Sequence, residues 1–391
     1  MKCIDKFIEI YKGDPEDVAF CPYRICPIGA HSDHNLGKIT GFAIDKGIHI
    51  AYRPKHNGVV ELCSLQFLGK RAQWHVRGVP EKKQNDWADY LRGVTLELGM
   101  RYQLSVGVVG VIEGTLPIGG LSSSAAVCIA MLKVLAKVNG ISLEPQEIVE
   151  IAKAAENNYV GVSCGTLDQS CEVYSRKDHL LYLDCRDNSY ELIPQHAGMA
   201  PYEIAIFFSG VERNLAGSAF NMRVDEAKSA AYALMAFAGM PYGKFSEAML
   251  RDVPREVFEQ YKHRLPDNWR LRAEHWYTEF ARVEAGVEAW RKGDIQAYGR
   301  LSFESGQSSI YNWETGSAEL KTLYDIMTRT EGIYGGRFSG AGFKGCCMAL
   351  IDQQYSEQIL RQVQEEYLKV FPQLTDKYMG VICHSADGVT I

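Results

Sequence analysis

Residues 116–126 read Leu-Pro-Ile-Gly-Gly-Leu-Ser-Ser-Ser-Ala-Ala, a turn of small residues that leads into an apolar, helix-forming stretch. Free N–H groups and the dipole at the start of a helix favour an anion such as phosphate. The three serines add hydroxyls that can bond phosphate oxygens or ligate Mg²⁺. A plain serine N-cap after a loop is the alternative interpretation. The segment is not a Walker loop, because no Gly-Lys-Ser/Thr follows it.

Another glycine-rich segment, which we call the third segment from its place in the chain, covers residues 335–345 and reads GGRFSGAGFKG. Residues 340–345 match G-x-G-x-x-G by letter. A dinucleotide-binding fingerprint should follow a first strand and open a helix, whereas this segment precedes a β-like run. We therefore reject the dinucleotide interpretation and predict a glycine loop packed against a bound phosphate chain.

The segment nearest the N-terminus, which we call the first segment, covers residues 23–37 and reads YRICPIGAHSDHNLG. Arginine, histidine and aspartate in a loop punctuated by Gly and Pro suggest a polar site for a polyol, and an exposed turn is the alternative. The spacing His31-x-x-His34 would also suit a metal, but no further ligand cluster lies nearby in the sequence. A polar loop is the simpler interpretation.

Size and composition exclude several classes of protein. The chain has 391 residues, 46% of them apolar and 23% charged, with a net charge of −6, which suits a protein of two or three domains and gives no electrostatic footprint for nucleic acid or an anionic membrane. No window approaches the roughly 18 uncharged apolar residues of a membrane span. The 11 scattered cysteines favour free thiols in a reducing cytosol, so we expect a cytoplasmic protein without membrane or nucleic-acid partners.

Strand and helix signals are interspersed along the chain. Short β signals fill residues 18–80, and longer helical patterns follow at about 217–238, 268–292 and 316–330. Regular βα alternation is missing, which favours an α+β fold over a parallel sheet. A polar, turn-rich stretch at 185–202 suggests a boundary between domains at 1–198 and 199–391.

Taken together and in order, these segments resemble the signature motifs of GHMP kinases, most closely those of the galactokinase branch. YRICPIGAHSDHNLGK is similar to that branch's GRxNLIGEHTDYNGG, and PIGGLSSSA to its PxGxGLSSSA with one residue fewer. SGAGFKG resembles GGGFGG, with Lys344 in place of a glycine. A fourth match, AENNYVGVSCGTLDQS, is similar to AExxxxGxxxGxMDQ. The resemblance covers essentially the whole chain.

The resemblance implies a fold, two ligands and a set of roles. The fold would join an N-terminal domain like domain 2 of ribosomal protein S5 to a ferredoxin-like C-terminal domain, with sugar, ATP and Mg²⁺ bound between them. Asp168 and Arg24 would be catalytic, and Ser124 and Glu156 would ligate Mg²⁺. The remaining implied contacts are with the sugar (Ala30, His31, Asp33, Asp168 and Phe220) and with ATP (Gly119, Gly120, Leu121, Ser122, Ser123, Ser124 and Trp87, with Tyr90 nearby).

Two departures from the galactokinase pattern fall on the implied sugar site. Ala30 replaces a glutamate that lies near C6 of the sugar, and Phe220 replaces a tyrosine. Losing that negative charge would admit a sugar whose C6 is a carboxylate, and plant galacturonokinases are similar at these points. The resemblance therefore predicts phosphorylation of D-galacturonate at its anomeric hydroxyl. Galactose, another C6-variant sugar and a non-catalytic sugar sensor are the alternatives, and Arg213, Arg223 and Lys344 are candidate partners for the carboxylate.

Overall fold

A computed structural model describes residues 1–211 and 217–389 of the chain. The helices are α1 (Lys2–Tyr11), α2 (Asp89–Arg101), α3 (Ser123–Val138), α4 (Pro145–Ala154), α5 (Leu167–Tyr174), α6 (Gly217–Phe237), α7 (Arg255–Tyr261), α8 (Asp267–Arg291), α9 (Ile295–Tyr311), α10 (Ala318–Arg329) and α11 (Ser356–Val370). The strands are β1 (Asp17–Ile25), β2 (Lys38–Lys55), β3 (Val59–Ser64), β4 (Lys70–His75), β5 (Gly107–Gly114), β6 (His179–Asp184), β7 (Ser189–Pro194), β8 (Tyr202–Phe208), β9 (Ile333–Phe338), β10 (Cys346–Asp352), β11 (Met379–Cys383) and β12 (Ser385–Ala386).

The N-terminal half is organised around one long strand, β2. Strand β2 lies between β5 and β6 in a sheet of order β4-β3-β5-β2-β6-β7, and it also pairs with β1 and β12. All of its pairings are antiparallel, and β3 with β5 is a parallel pair. Because β1 ends at Ile25 and α5 packs against β1 and β2, the first sequence segment and the TLDQ segment meet at one end of this sheet.

The C-terminal half carries a second sheet of order β11-β8-β10-β9, in which every described pairing is antiparallel. Its chain order is strand, helices, strand, strand, helix, strand, which is the ferredoxin-like arrangement. The helices α6 to α9 are inserted between β8 and α10. Helices α6, α7 and α8 share an apolar cluster of their own, which contains Leu234, Phe258, Trp276 and Trp313.

Both faces of the second sheet are buried, and the side-chain alternation of β10 shows how. Cys346, Met348 and Leu350 join the large core that contains the first sheet. Cys347, Ala349 and Ile351 pack with the apolar residues of α10 and α11. Because successive side chains of a strand point to opposite faces, β10 connects the two halves through one continuous core.

The α+β fold with a ferredoxin-like C-terminal half is confirmed. Several elements were not predicted, among them helices α1, α5, α7 and α9 and strands β6, β7 and β9. Strand β7 lies inside the stretch interpreted as a turn-rich boundary. The division at residue 198 stays a prediction. Among the described residues, no helix is both long and apolar enough to cross a bilayer.

Candidate active site

Arg24 and Asp168, which are 144 residues apart in the chain, form an ion pair at the centre of the site. Arg24 Nε donates to Asp168 Oδ1 over 2.7 Å, and its NH1 donates to the carbonyl of Gly120 over 2.9 Å. Arg24 extends from the end of β1, and Asp168 lies in the first turn of α5. The arginine side chain is 4% exposed and the aspartate side chain 28%. A buried cation therefore orients a carboxylate that is still accessible to a ligand.

A second carboxylate, that of Asp33, lies beside this pair. The backbone N–H of Leu167 donates to Asp33 Oδ2 over 3.2 Å, and Gly165 leaves room for the carboxylate because a Cβ there would collide with it. Burial, and then the charge of Asp168, raise the pKa of Asp33 above its ordinary value. The first segment and the start of α5 thus place two carboxylates side by side, where they can accept hydrogen bonds from hydroxyl groups.

Residues 117–122, which we call the glycine–serine loop, precede α3 in a backbone conformation that glycine favours. Gly120 has a φ of +88°, and Ser122, the residue before the helix, has a φ of +61°. The carbonyl of Gly120 accepts hydrogen bonds from Arg24 and from Ser339 Oγ at 2.7 Å. Leu121 is buried, while Ser123 and Ser124 are half-buried in the first turn of α3.

The GGRFSGAGFKG segment contains the end of β9 and the turn to β10, and this turn packs directly on the glycine–serine loop. A Cβ added at Gly345 would lie 2.7 Å from the carbonyl carbon of Gly119, and one added at Gly340 would lie 2.9 Å from Cα of Gly120. The two glycine loops therefore touch backbone to backbone. Contact of the third segment with a phosphate chain stays a prediction.

Glu156 lies where α4 changes into a π-helical turn, Ala155–Val160. Such turns are frequent at functional sites. Glu156 is 3% exposed, and it accepts a hydrogen bond from Gln169 Nε2 over 2.5 Å. Since Gln169 follows Asp168 in the chain, this contact ties the π-helical turn to the start of α5.

Five rings, which we call the aromatic cluster, surround the first segment: His31, His34, Phe220, His275 and Trp313. His31 and His34 stack on Trp313 with ring centroids 5.2 and 5.3 Å away, and Phe220 lies 6.5 and 6.2 Å from the two imidazoles. His275 fixes the backbone of the segment, because its Nε2 lies 3.0 Å from the carbonyl of Ala30. The side chain of Ala30 is 8% exposed and packs with Cys26 and Leu167.

Beneath the first segment lies a buried charged network. Glu279 accepts a hydrogen bond from the backbone N–H of Gly29 over 2.7 Å and pairs with Arg337 over 3.4 Å. Arg337 also donates to Ser305 and Ser309, and both members of the ion pair are fully buried. This network holds the loop of the first segment against helices α8 and α9.

Family models match most of these elements. The models described as GHMP kinases N terminal domain, GHMP kinases C terminal and Galactokinase galactose-binding signature match residues 89–176, 287–369 and 5–54. A galacturonokinase of Arabidopsis thaliana is 36% identical over 96% of this chain and 93% of its own. The chain belongs to the GHMP kinase family.

This GHMP kinase is a sugar kinase of the galactokinase branch, as two further relatives indicate. A galactokinase of Roseiflexus sp. (strain RS-1) is 31% identical over 98% of this chain and 95% of its own. A structure of Lactococcus lactis galactokinase complexed with galactose superposes with a TM-score of 0.88 at 27% identity, covering 99% of this chain and 98% of that one. Membership of a kinase family implies that ATP and a sugar are its substrates.

In the structure of this sugar kinase, the predicted residues Arg24, Asp33 and Asp168 lie close to one another and to the glycine–serine loop. Trp87 lies just before α2, half-buried, with its ring 5.9 Å from that of Phe67, and Tyr90 packs against the core.

Of the candidate partners for a carboxylate, Arg223 is already paired with Glu226 and Glu314. Lys344 is half-buried and makes no ion pair with the described residues, and Arg213 lies outside them.

Of the aromatic cluster, sequence reasoning named only His31 and Phe220 as site residues, and it missed the charged network entirely. His34 and Arg337 lie inside two of the quoted segments, so their residue types were the available signals. Glu279, His275 and Trp313 lie on or next to helices far from any motif. Only the packing of α8 and α9 on the first segment brings them to the site.

Proposed function

We propose that this kinase transfers the γ-phosphoryl group of ATP to the anomeric hydroxyl of D-galacturonate, giving galacturonate 1-phosphate and ADP. The observation that carries the proposal is Ala30, which stands where the galactokinase pattern has a glutamate beside C6. The similarity to a protein named galacturonokinase supports it.

In the proposed reaction, Asp168 accepts the proton of the attacking hydroxyl as its oxygen bonds to the γ-phosphorus and ADP leaves. Arg24 orients this carboxylate through the 2.7 Å contact. Asp33 accepts hydrogen bonds from other hydroxyls of the sugar. Positioning and charge neutralisation account for most of phosphoryl-transfer catalysis, so a pre-formed pair of this kind is the expected arrangement.

The residues also suit ATP and Mg²⁺. The glycine–serine loop and the start of α3 would bind the phosphates, and Trp87 would lie near the nucleotide. The described residues contain no group of three or more His, Cys, Asp or Glu able to hold a metal. Mg²⁺ commonly needs only one or two protein oxygens besides phosphates and water, and Ser124 and Glu156 supply such hard ligands. Bound Mg²⁺ would neutralise charge on the phosphates.

The charge argument for the sugar acid is quantitative. A glutamate about 4 Å from a C6 carboxylate would repel it by roughly 1 kcal/mol in water and about 4 kcal/mol at an effective dielectric constant of 20. These energies correspond to roughly a tenfold to thousandfold loss of affinity. Because Ala30 is nearly buried, screening at this position should fall well short of that of bulk water. Alanine removes the repulsion.

Galactose is the second candidate substrate. The relatives named galactokinase and the close superposition on a galactose complex favour it. A neutral sugar needs no additional charge in the site, and Asp33, Asp168 and His31 suit both sugars. The two candidates therefore differ in what binds the substituent at C6.

The test is an ADP-release assay with galacturonate, glucuronate, galactose, arabinose and fucose, run on the wild type, Ala30→Glu and Ala30→Gln. We expect the wild type to prefer galacturonate. Ala30→Glu should lower the ratio of kcat/KM for galacturonate to that for galactose by about tenfold or more. The glutamine of Ala30→Gln has nearly the same size as glutamate but no charge. It therefore separates charge repulsion from the loss of space for the sugar.

A wild type that prefers galactose would overturn the proposal. Equal ratios in the Glu and Gln variants would show that the charge at position 30 is not what selects the sugar. Absence of ADP release with every sugar would favour the sugar-sensor alternative. All eleven cysteines are free thiols, ten of them buried, which suits the reducing cytosol in which we place the enzyme.

A further inference from the structure

The aromatic cluster contains three buried ring nitrogens without a hydrogen-bond partner: Nε2 of His31, Nε2 of His34 and Nε1 of Trp313. All three side chains are nine-tenths or more buried. A buried donor left without an acceptor costs about 1–3 kcal/mol, so native proteins rarely keep several together. Three such atoms on mutually stacked rings indicate a site that a ligand completes.

The hydrogen bonds of Asn35 determine which nitrogen of His34 carries the hydrogen. Asn35 Oδ1 accepts from the backbone N–H of Leu250 over 3.0 Å, which orients the amide. Asn35 Nδ2 then faces His34 Nδ1 at 2.8 Å and can only donate to it. In the neutral imidazole, Nε2 must therefore carry the hydrogen. Since the indole nitrogen of Trp313 is also only a donor, the cluster offers at least two N–H groups.

The charges around the cluster favour an anion. Burial and the nearby Arg337 hold the pKa of His31 well below its ordinary value, and burial, His275 and Lys228 lower that of His34 to about 3. Nearby cations contribute to both shifts. Carboxylates near the cluster are paired: Glu279 with Arg282 and Arg337, and Glu226 and Glu314 with Arg272, whose guanidinium lies over the Trp313 ring. Burial disfavours the charged form of Asp33.

The first segment also departs from the galactokinase pattern at position 34. Aligning GAHSDHN with GEHTDYN places His34 on a tyrosine, four residues after the exchange of glutamate for Ala30. The loop that lost a carboxylate has therefore gained an imidazole N–H. Phe220, half-buried and about 6 Å from both imidazoles, has replaced a hydroxyl-bearing ring on the partly exposed side of the cluster.

We propose that the imidazole N–H of His34 and the indole N–H of Trp313, with His31 beside them, bind the C6 carboxylate of a hexuronic acid. This proposal rests on the proposed function and names its specificity-determining residues. The rings of His34 and Trp313 stack with centroids 5.3 Å apart, and each N–H can donate to one oxygen of a carboxylate over about 2.8 Å. Neutral donors in a positive surrounding replace the dedicated lysine or arginine that a sugar acid would otherwise require.

The first experiment removes one N–H and keeps the ring. Trp313→Phe should lower kcat/KM for galacturonate about tenfold to a hundredfold, since it loses a hydrogen bond to a charged group, and should change that for galactose much less. Trp290→Phe is the matched control, because its buried Nε1 already donates to the carbonyl of Ile193. The control should leave the galacturonate-to-galactose ratio unchanged.

A second pair of variants tests His34 independently. His34→Gln keeps an N–H near the position of Nε2, and His34→Leu removes it. We expect the Leu variant to lose preference for galacturonate over its methyl ester, and the Gln variant to retain most of it. If Trp313→Phe does not fold, this pair decides.

The outcomes separate this proposal from the proposed function. A wild type that does not prefer galacturonate contradicts the proposed function and, with it, this proposal. A wild type that prefers galacturonate, combined with ratios unchanged in Trp313→Phe and His34→Leu, contradicts this proposal alone and directs attention to Lys344. An equal loss for both sugars would show a purely structural role for the cluster.

Discussion

The glycine–serine loop, which contacts Arg24, and the aromatic cluster, which surrounds the first segment, are built in opposite ways. The glycine–serine loop is held by backbone contacts: Gly119 and Gly120 touch the turn at Gly340–Gly345, and the Gly120 carbonyl accepts two side-chain hydrogen bonds. The aromatic cluster is built from side chains and leaves three buried nitrogens without partners. The loop thus depends on positions that admit no side chain, whereas the cluster depends on the identity of its side chains.

The largest expected effect is at Asp168, which Arg24 links to the glycine–serine loop. Asp168→Asn should lower turnover by about 10²–10⁴-fold, because the amide cannot accept the hydroxyl proton. The amide oxygen can still accept the hydrogen bond from Arg24, so the fold and ATP binding should be preserved. ADP release, thermal unfolding and nucleotide binding measure the three quantities. Turnover within tenfold of the wild type would remove Asp168 from the role of base.

The next effect tests the backbone-built region. Gly345→Ala should raise KM for ATP about tenfold and lower the melting temperature, since a Cβ there meets the Gly119 backbone at a φ of +106°. Binding of the sugar alone, measured by calorimetry, should change little.

Gly140→Ala is the matched control for this substitution. Gly140 also has a positive φ, +66°, but an added Cβ would meet nothing within 4 Å. It therefore carries the strain of the backbone conformation without the collision. If both variants raise KM for ATP equally, the contact between the two glycine loops does not shape the nucleotide side.

The same contrast explains what the sequence could predict. A side chain at Gly119, Gly120 or Gly345 would collide with backbone, so only glycine fits and the motif is visible as a string of letters. The aromatic cluster draws on positions 31, 34, 220, 275 and 313, and no local pattern connects them. His34 could be interpreted only as part of a polar loop, because Trp313 and His275 reach it through the packing of α8 and α9.

Helix α9 shows the same limit for the fold. Its sequence, IQAYGRLSFESGQSSIY, is rich in serine and glycine, which have low helix propensity, and we did not predict it as a helix. Gly299 lets the helix touch the backbone of Tyr334 and Gly335, while Ser305 and Ser309 bond to Arg337. Tertiary contacts therefore stabilise a helix that local propensity disfavours.

The smallest expected effect is a pH dependence of stability that distinguishes the aromatic cluster. The pKa of His34 falls from 6.5 to about 3 in the folded protein and that of His275 to about 4, chiefly through burial. Below pH 6.5 these histidines are therefore protonated in the unfolded chain and neutral in the folded chain. The free energy of unfolding falls as the pH drops toward 4. Each histidine contributes at most about 1.4 kcal/mol per pH unit in this window.

Denaturant unfolding at pH 7, 6, 5 and 4 measures how the free energy of unfolding changes with pH. Between pH 6 and 5, His34→Gln should reduce this slope by the equivalent of close to one bound proton. His263→Gln, at an exposed position, is the control and should leave the slope as it is. Glu172 has the opposite effect on stability, because burial raises its pKa in the folded protein. The folded chain then binds this proton more tightly than the unfolded chain, so the contribution of Glu172 to stability is lost as the pH rises. That contribution is common to both variants and cancels in their difference. If the slope of His34→Gln matched that of His263→Gln, the folded and unfolded chains would bind the proton of His34 equally, and His34 would not be a buried neutral imidazole.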